Sequence, residues 1–160
     1  MEKQKPKKIY LACSFAFQDV KLREKRQHII EKCARHLRSR GFNVFVPHEH
    51  KIDPDNEMPN YLWSKTVQQM DVKNLCNSDY VVLLTFGKTG NNGGVCWEAG
   101  YAYGIGKPLV IVKENKKVES FMMMFSCYAI VDGYQGLRKY DFTGQTEAEK
   151  EAFLQNVKMS

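Results

Sequence analysis

Predominantly apolar segments of strand length alternate along the chain with longer segments in which apolar residues recur at helical spacing. KIYLAC (8–13) and YVVLLT (80–85) are typical of strands buried on both faces of a sheet. NVFVP (43–47), PLVIV (108–112) and YAIVDG (128–133) predict three further strands, the first of them ended by its proline. The pattern therefore predicts five strands.

Helical patterns lie between and after these strands. In residues 21–40 an apolar series alternates with basic side chains, which is typical of an amphipathic helix with a solvated outer face. Further helices are predicted from about Tyr61 to Asn77, from near Gly94, and over EAEKEAFLQNV (147–157).

The order of these elements predicts the fold class. Repeated strand–helix–strand units connect through right-handed crossovers. We therefore expect a single α/β domain, a doubly wound (Rossmann-like or flavodoxin-like) and mostly parallel five-stranded sheet with helices on both faces. The domain is assigned to residues 8–160, and residues 1–7 to a flexible, basic N-terminal lead-in.

Composition excludes several classes of function. The net charge of the chain is +6. Nucleic-acid binding would call for basic residues interleaved with exposed aromatic residues, which this chain lacks, so a nucleic acid polymer is not an expected partner. No apolar run approaches the roughly 20 residues of a membrane span and no signal-peptide pattern is present, so we expect a cytoplasmic protein. Five scattered cysteines without a C-x-x-C pair argue against disulfides and zinc.

The glycine-rich segment GNNGG (90–94) and Glu98 follow the third strand, where ligands bind in doubly wound sheets. The segment fits neither a P-loop nor G-x-G-x-x-G after the first strand. Glu98 lies about one turn into the next helix, whose N-terminal dipole would favour the ionised carboxylate. Two interpretations remain open: a solvated glutamate on an outer face, or a carboxylate with a chemical task.

Asp71, in QQMDVKN, is a second candidate acid. Carboxylates from neighbouring strand–helix units would suit chemistry at a glycosidic bond, one attacking the anomeric carbon and one handling the proton on the leaving group. Taken alone, the pattern around Asp71 favours a surface acid on the helix. His48 and His50 follow the second strand, but without a third ligand they do not predict a metal site.

Several stretches together resemble the nucleoside 2-deoxyribosyltransferase family. They are KIYLA in the first strand, an acid ahead of SDYVVLL, PNYL (59–62) and above all GGVCWEAGYAYGIGKPLVIV (93–112). The resemblance covers most of the chain and implies an enzyme that exchanges the base of 2'-deoxynucleosides, with free purine or pyrimidine bases as the other substrates. It implies neither a metal nor an organic cofactor.

The resemblance also implies roles for individual residues. Glu98 would be the nucleophile that forms a covalent 2-deoxyribosyl ester, Asp71 would assist proton transfer, and Tyr10 would orient the nucleophile. Gly100 would allow close packing of the helix on the sheet. Substrate contacts would come from Phe15, Phe17, His50, Asn92 and Gly93.

Asn92 departs from the family pattern, which has an aspartate six residues before the nucleophile. Asparagine can bind a sugar hydroxyl but cannot act as an acid or base. Two alternatives therefore remain: a 2'-deoxynucleoside 5'-monophosphate N-glycosidase using the same glutamate, with Ser14 near the phosphate, or a non-catalytic nucleotide-binding module.

SFMMMFSCY (120–128) follows the fourth strand. Three consecutive methionines cannot all face one interior, so this segment predicts an interface between subunits. In the family that it resembles, a neighbouring subunit completes the active site. We therefore expect a homo-oligomer.

Overall fold

The computed structural model of the protein describes residues 5–14, 19–87, 93–117 and 119–156. Its five strands form one sheet in the order β2-β1-β3-β4-β5, and every neighbouring pair is parallel. The strands are β1 (Lys8–Cys13), β2 (Asn43–Phe45), β3 (Tyr80–Thr85), β4 (Leu109–Lys113) and β5 (Ala129–Asp132). The predicted doubly wound α/β fold is confirmed.

Helices cover both faces of the sheet. The helices are α1 (Val20–Ser39), α2 (Asn60–Cys76), α3 (Gly93–Gly104), α4 (Phe121–Ser126), α5 (Gly133–Lys139) and α6 (Glu147–Gln155), and a 3-10 turn lies at Pro47–Glu49. Apolar side chains of α1 and α5 pack on one face of the sheet, and those of α2, α3 and α4 pack on the other. None of the described helices is both long enough and apolar enough to cross a membrane.

Side-chain alternation along β1 decides which residues face α3. Ile9 and Leu11 lie in the core cluster with α1, whereas Tyr10 and Ala12 lie in the cluster with α2 and α3. Successive side chains of a strand point to opposite faces, so the register of β1 places the Tyr10 phenol on the α3 side.

Three expectations differ from the structure. β2 ends at Phe45, and the chain turns into the 3-10 turn that begins at Pro47. The two short helices α4 and α5 were not predicted, because FMMMF is continuously apolar and GYQGLRK carries two glycines and little apolar periodicity. Gly100 is exposed and nothing lies within 4 Å of where a Cβ would project, so packing on the sheet does not require glycine there.

Candidate active site

Tyr10 and Glu98, 88 positions apart in sequence, meet on the side of the sheet that α3 covers. The Tyr10 hydroxyl donates a hydrogen bond to Oε1 of Glu98 over 2.5 Å. Tyr10 is completely buried in β1, and Glu98 lies in the second turn of α3. A buried phenol has one donor and few directions in which to aim it, so this contact fixes the orientation of the carboxyl group.

Asp71 is the second carboxyl group at this position. It lies in the last third of α2, half-buried, and its Oδ1 atom is buried with no hydrogen-bond partner among the described residues. Burial raises the pKa of Asp71, and a hydrogen-bonding interaction with Tyr10 opposes that rise. A buried acceptor without a partner is costly, so this oxygen is destabilising unless a bound group satisfies it.

The pKa of Glu98 is raised to about 7. Burial is the main cause, the negative charge of Asp71 adds to it, and the hydrogen bond from Tyr10 opposes both. The position of Glu98 near a helix N-terminus predicts an ionised carboxylate, but the structure buries the group, and the loss of hydration raises its pKa. Near neutral pH Glu98 therefore exists in both protonation states.

A cavity of about 680 Å³ opens in front of these groups. Its volume is in the range of pockets that enclose small-molecule ligands. Its walls come from the end of β1, the segment after β2, the inner face of α2 and the first turns of α3, and include His48, His50, Trp63, Asp71, Trp97 and Glu98.

Two tryptophans at the cavity were not assigned from the sequence. Trp63 and Trp97 are 46% and 45% exposed, respectively, and both line the cavity. Trp63, Val67 and Asp71 recur every four residues on α2 and all line the cavity, so helical spacing could have identified this face. Exposed indoles beside a cavity offer flat apolar surfaces on which a planar ring can stack.

The remaining predicted site residues fall into three groups. His50 lines the cavity and stacks on Phe45, with ring centroids 4.5 Å apart. Ser14 is completely buried and its carbonyl accepts a hydrogen bond from Arg26, while Gly93 is exposed at the start of α3, where Gly94 lines the cavity. The predictions for Phe15, Phe17 and Asn92 lie outside the described residues.

The described ranges contain no group of three or more histidine, cysteine, aspartate or glutamate side chains arranged to hold a metal ion. The chemical groups that the structure brings together are two carboxyls with raised pKa values, one phenol and aromatic walls. Such a set can supply a nucleophile, a proton donor and a stacking surface.

The raised pKa of Glu98 predicts that the protein becomes less stable as pH rises. Because its folded-state pKa of about 7 exceeds the unfolded value, the stabilising effect of its protonated form is present below about pH 4.5 and is lost as pH rises through 7. Relative to Glu98→Gln, the wild-type protein should lose at most about 3 kcal/mol of unfolding free energy between pH 4.5 and 8. Urea unfolding at several pH values measures this.

Glu24→Gln is the matched control for that measurement, since Glu24 is exposed on α1 and stays hydrated when the chain folds. It should leave the pH dependence of stability unchanged. If the unfolding free energies of the wild type and of Glu98→Gln changed in parallel with pH, Glu98 would not be desolvated.

Comparisons with known proteins find a matching family and similar solved structures. A family model described as nucleoside 2-deoxyribosyltransferase matches residues 9–156. A solved 2-deoxyribosyltransferase from Bacillus psychrosaccharolyticus shares 27% identity at a TM-score of 0.71, covering 84% of this chain and 93% of that one. A search of the curated proteins found no significant match.

The CMP N-glycosidase BcmB of Clostridium botulinum is a more distant structural relative. It shares 16% identity at a TM-score of 0.56, and the match covers 83% of this chain and 97% of that one. At this identity the similarity concerns the fold alone.

Proposed function

The chain belongs to the nucleoside 2-deoxyribosyltransferase family, a family of enzymes, and we propose that it exchanges the base of 2'-deoxynucleosides through a covalent intermediate on Glu98. The observation that carries the proposal is the 2.5 Å hydrogen bond from Tyr10 to Glu98. Glu98 and Asp71 both line the cavity. A nucleophile oriented by one group and next to a second acid is what a two-step displacement needs.

In the first step the ionised Glu98 carboxylate attacks the anomeric carbon of the deoxyribose. The N-glycosidic bond breaks, its electron pair leaves with the base, and protonated Asp71 supplies a proton to that base. The burial that raises the pKa of Asp71 favours the protonated form that this transfer requires.

In the second step an incoming base attacks the same carbon from the side that the first base left. The ester bond to Glu98 breaks, the carboxylate is regenerated, and Asp71 recovers the proton from the incoming base. Two inversions give net retention of configuration. Trp63 and Trp97 would offer stacking surfaces to the bases.

Tyr10→Phe should shift the pH dependence of the reaction. The hydrogen bond from Tyr10 lowers the pKa of Glu98, so its removal should raise that pKa above 7 by about 1–2 units, given the roughly 1.5–3 kcal/mol of a hydrogen bond to a charged group. The pH of half-maximal kcat should rise accordingly, with about tenfold lower activity at pH 7. Rate–pH profiles of both proteins measure the shift.

Tyr80→Phe is the control, because the Tyr80 hydroxyl bonds the Phe142 carbonyl on the other face of the sheet. Its rate–pH profile should match that of the wild type. An unshifted profile in Tyr10→Phe would argue that Tyr10 does not act on the nucleophile.

The decisive assay incubates the protein with deoxyadenosine or thymidine and a different free base, and separates the products by chromatography. Parallel reactions contain the matching 5'-monophosphates without an acceptor base. A new deoxynucleoside supports base exchange. Free base released only from the monophosphates would identify the N-glycosidase alternative, and tight binding without turnover would identify a nucleotide-binding module.

We also propose a homo-oligomer in which α4 contributes to the interface and the neighbouring subunit completes the site. Met123 and Met124 are buried in the core, whereas Phe121, Met122 and Phe125 are 54%, 79% and 72% exposed, respectively. Clustered large apolar side chains at a surface are typical of association sites. The cytoplasmic location stays a prediction.

A further inference from the structure

Lys113 and Glu119 form an ion pair inside the protein. Each residue is 1% exposed, and Nζ of Lys113 lies 3.3 Å from Oε1 of Glu119. Lys113 also donates to the Lys117 carbonyl over 2.5 Å. Burying two charges costs free energy that their attraction often fails to recover, and apolar side chains of similar volume can be as stable. Stability alone therefore does not account for this pair.

The Glu119 carboxylate does what an apolar side chain could not do. Oε1 accepts a hydrogen bond from the backbone N–H of Gly87 over 2.8 Å. Gly87 is buried, lies two residues beyond β3 and has a φ of +87°, in the region that favours glycine. A Cβ there would stand 2.7 Å from Cβ of Lys117, so the backbone of Gly87 is packed directly on the segment that follows β4.

The two residues before Gly87 are held by the same segment. The amide of Glu114 donates to the Thr85 carbonyl over 2.9 Å, and Nδ2 of Asn115 donates to the Phe86 carbonyl over 2.8 Å. The chain is thus anchored at three successive residues where it leaves β3.

This anchored stretch leads directly to the proposed nucleophile. Residues 88–92 join Gly87 to Gly93, where α3 begins, and Glu98 lies in the second turn of that helix. A misplacement of about 1 Å between reacting groups can lower a rate by about 10²-fold, so the geometry at the start of this connection matters to the reaction.

We propose that Lys113 and Glu119 are positioning residues, which hold the backbone of Gly87 at the point where the chain leaves β3 toward α3 and Glu98. The ion pair with Lys113 holds the Glu119 carboxylate where its Oε1 accepts the hydrogen bond from the Gly87 N–H, and the two charges neutralise each other. This inference rests on the proposed function for its catalytic consequence, but the contacts themselves can be tested without it.

Two double variants separate the hydrogen bond from the charges. The glutamine variant, Lys113→Met with Glu119→Gln, removes both charges and keeps an acceptor for the Gly87 N–H. The leucine variant, Lys113→Met with Glu119→Leu, removes the acceptor as well. We expect kcat of the glutamine variant within about threefold of wild type and kcat of the leucine variant lower by about 10- to 100-fold, with KM changed much less. Equal kcat values in the two variants would overturn the proposal.

Amide hydrogen exchange at Gly87, followed by NMR, provides a readout independent of activity. Exchange should be slow in the wild type and the glutamine variant, and at least about tenfold faster in the leucine variant. Unchanged exchange in the leucine variant would overturn the proposal. If the wild type exchanged no bases but the Gly87 amide exchanged at the expected rates, the proposed function would fail. The role of Lys113 and Glu119 in holding Gly87 would still be supported.

Asn115→Ala keeps the proposal testable if the leucine variant does not fold. It leaves the ion pair intact and removes the hydrogen bond from Asn115 to the Phe86 carbonyl, so kcat should fall about fivefold or more with little change in KM. An unchanged kcat would count against a positioning role for this segment. Lys116→Met is the matched control in the same segment. It breaks an exposed pair with Asp132, whose side chains are 55% and 60% exposed, and should change neither kcat nor Gly87 exchange.

Discussion

Glu98→Ala should abolish base exchange while leaving a folded protein. Without the carboxylate no covalent 2-deoxyribosyl ester can form, and loss of a catalytic nucleophile typically lowers kcat by about 10⁴-fold or more. The rate of new deoxynucleoside formation, measured by chromatography, tests this. In the wild type, mass spectrometry after mixing with substrate alone should detect a 2-deoxyribosyl group on the peptide that contains Glu98.

Glu98→Gln is the companion variant, since it keeps the volume and a hydrogen-bond acceptor for Tyr10 but cannot act as the nucleophile. It should be as inactive as the alanine variant and retain the wild-type circular dichroism spectrum. Substantial base exchange in either variant would remove Glu98 from the role of nucleophile.

Asp71→Asn should lower kcat by roughly 10²–10⁴-fold, the usual effect of losing general acid–base assistance. The carboxyl has a raised pKa and a buried oxygen with no described partner, so it can hold a proton beside a departing base. Asparagine preserves the shape but cannot transfer the proton. Steady-state kinetics with two substrates whose bases differ in basicity measure the effect, which should be larger for the base that needs protonation more.

Asp55→Asn serves as the control for Asp71→Asn because Asp55 is exposed in the segment that precedes α2. Its kinetics should match the wild type. If Asp71→Asn also retained the wild-type rate with both substrates, another group would have to handle the proton.

The sheet could be predicted because burial on both faces imposes a local signal. Each central strand must be apolar along its length, and KIYLAC and YVVLLT match the observed β1 and β3 residue for residue. Helix α5 gave no such signal, because a short helix with two glycines owes its place to packing against the ends of β4 and β5.

The candidate site was predicted in part. Glu98, Asp71 and Tyr10 were named from sequence, and the structure brings them together, although their chemical roles stay predictions. The tryptophans of the cavity were not assigned, because exposure on a helix does not by itself show what a side chain faces.

The strands, the long helices and the family could be recognised from the chain, since apolar runs, glycines and the WEAGYA block are local features. The electrostatics of the buried charged groups follow instead from how the elements pack. Glu98 at a helix N-terminus looked ionised, yet burial beside Asp71 raises its pKa to about 7. Lys113, the last residue of β4, lies 1% exposed against Glu119, which the sequence analysis did not single out. Desolvation depends on every element that surrounds a group, and no local pattern encodes it.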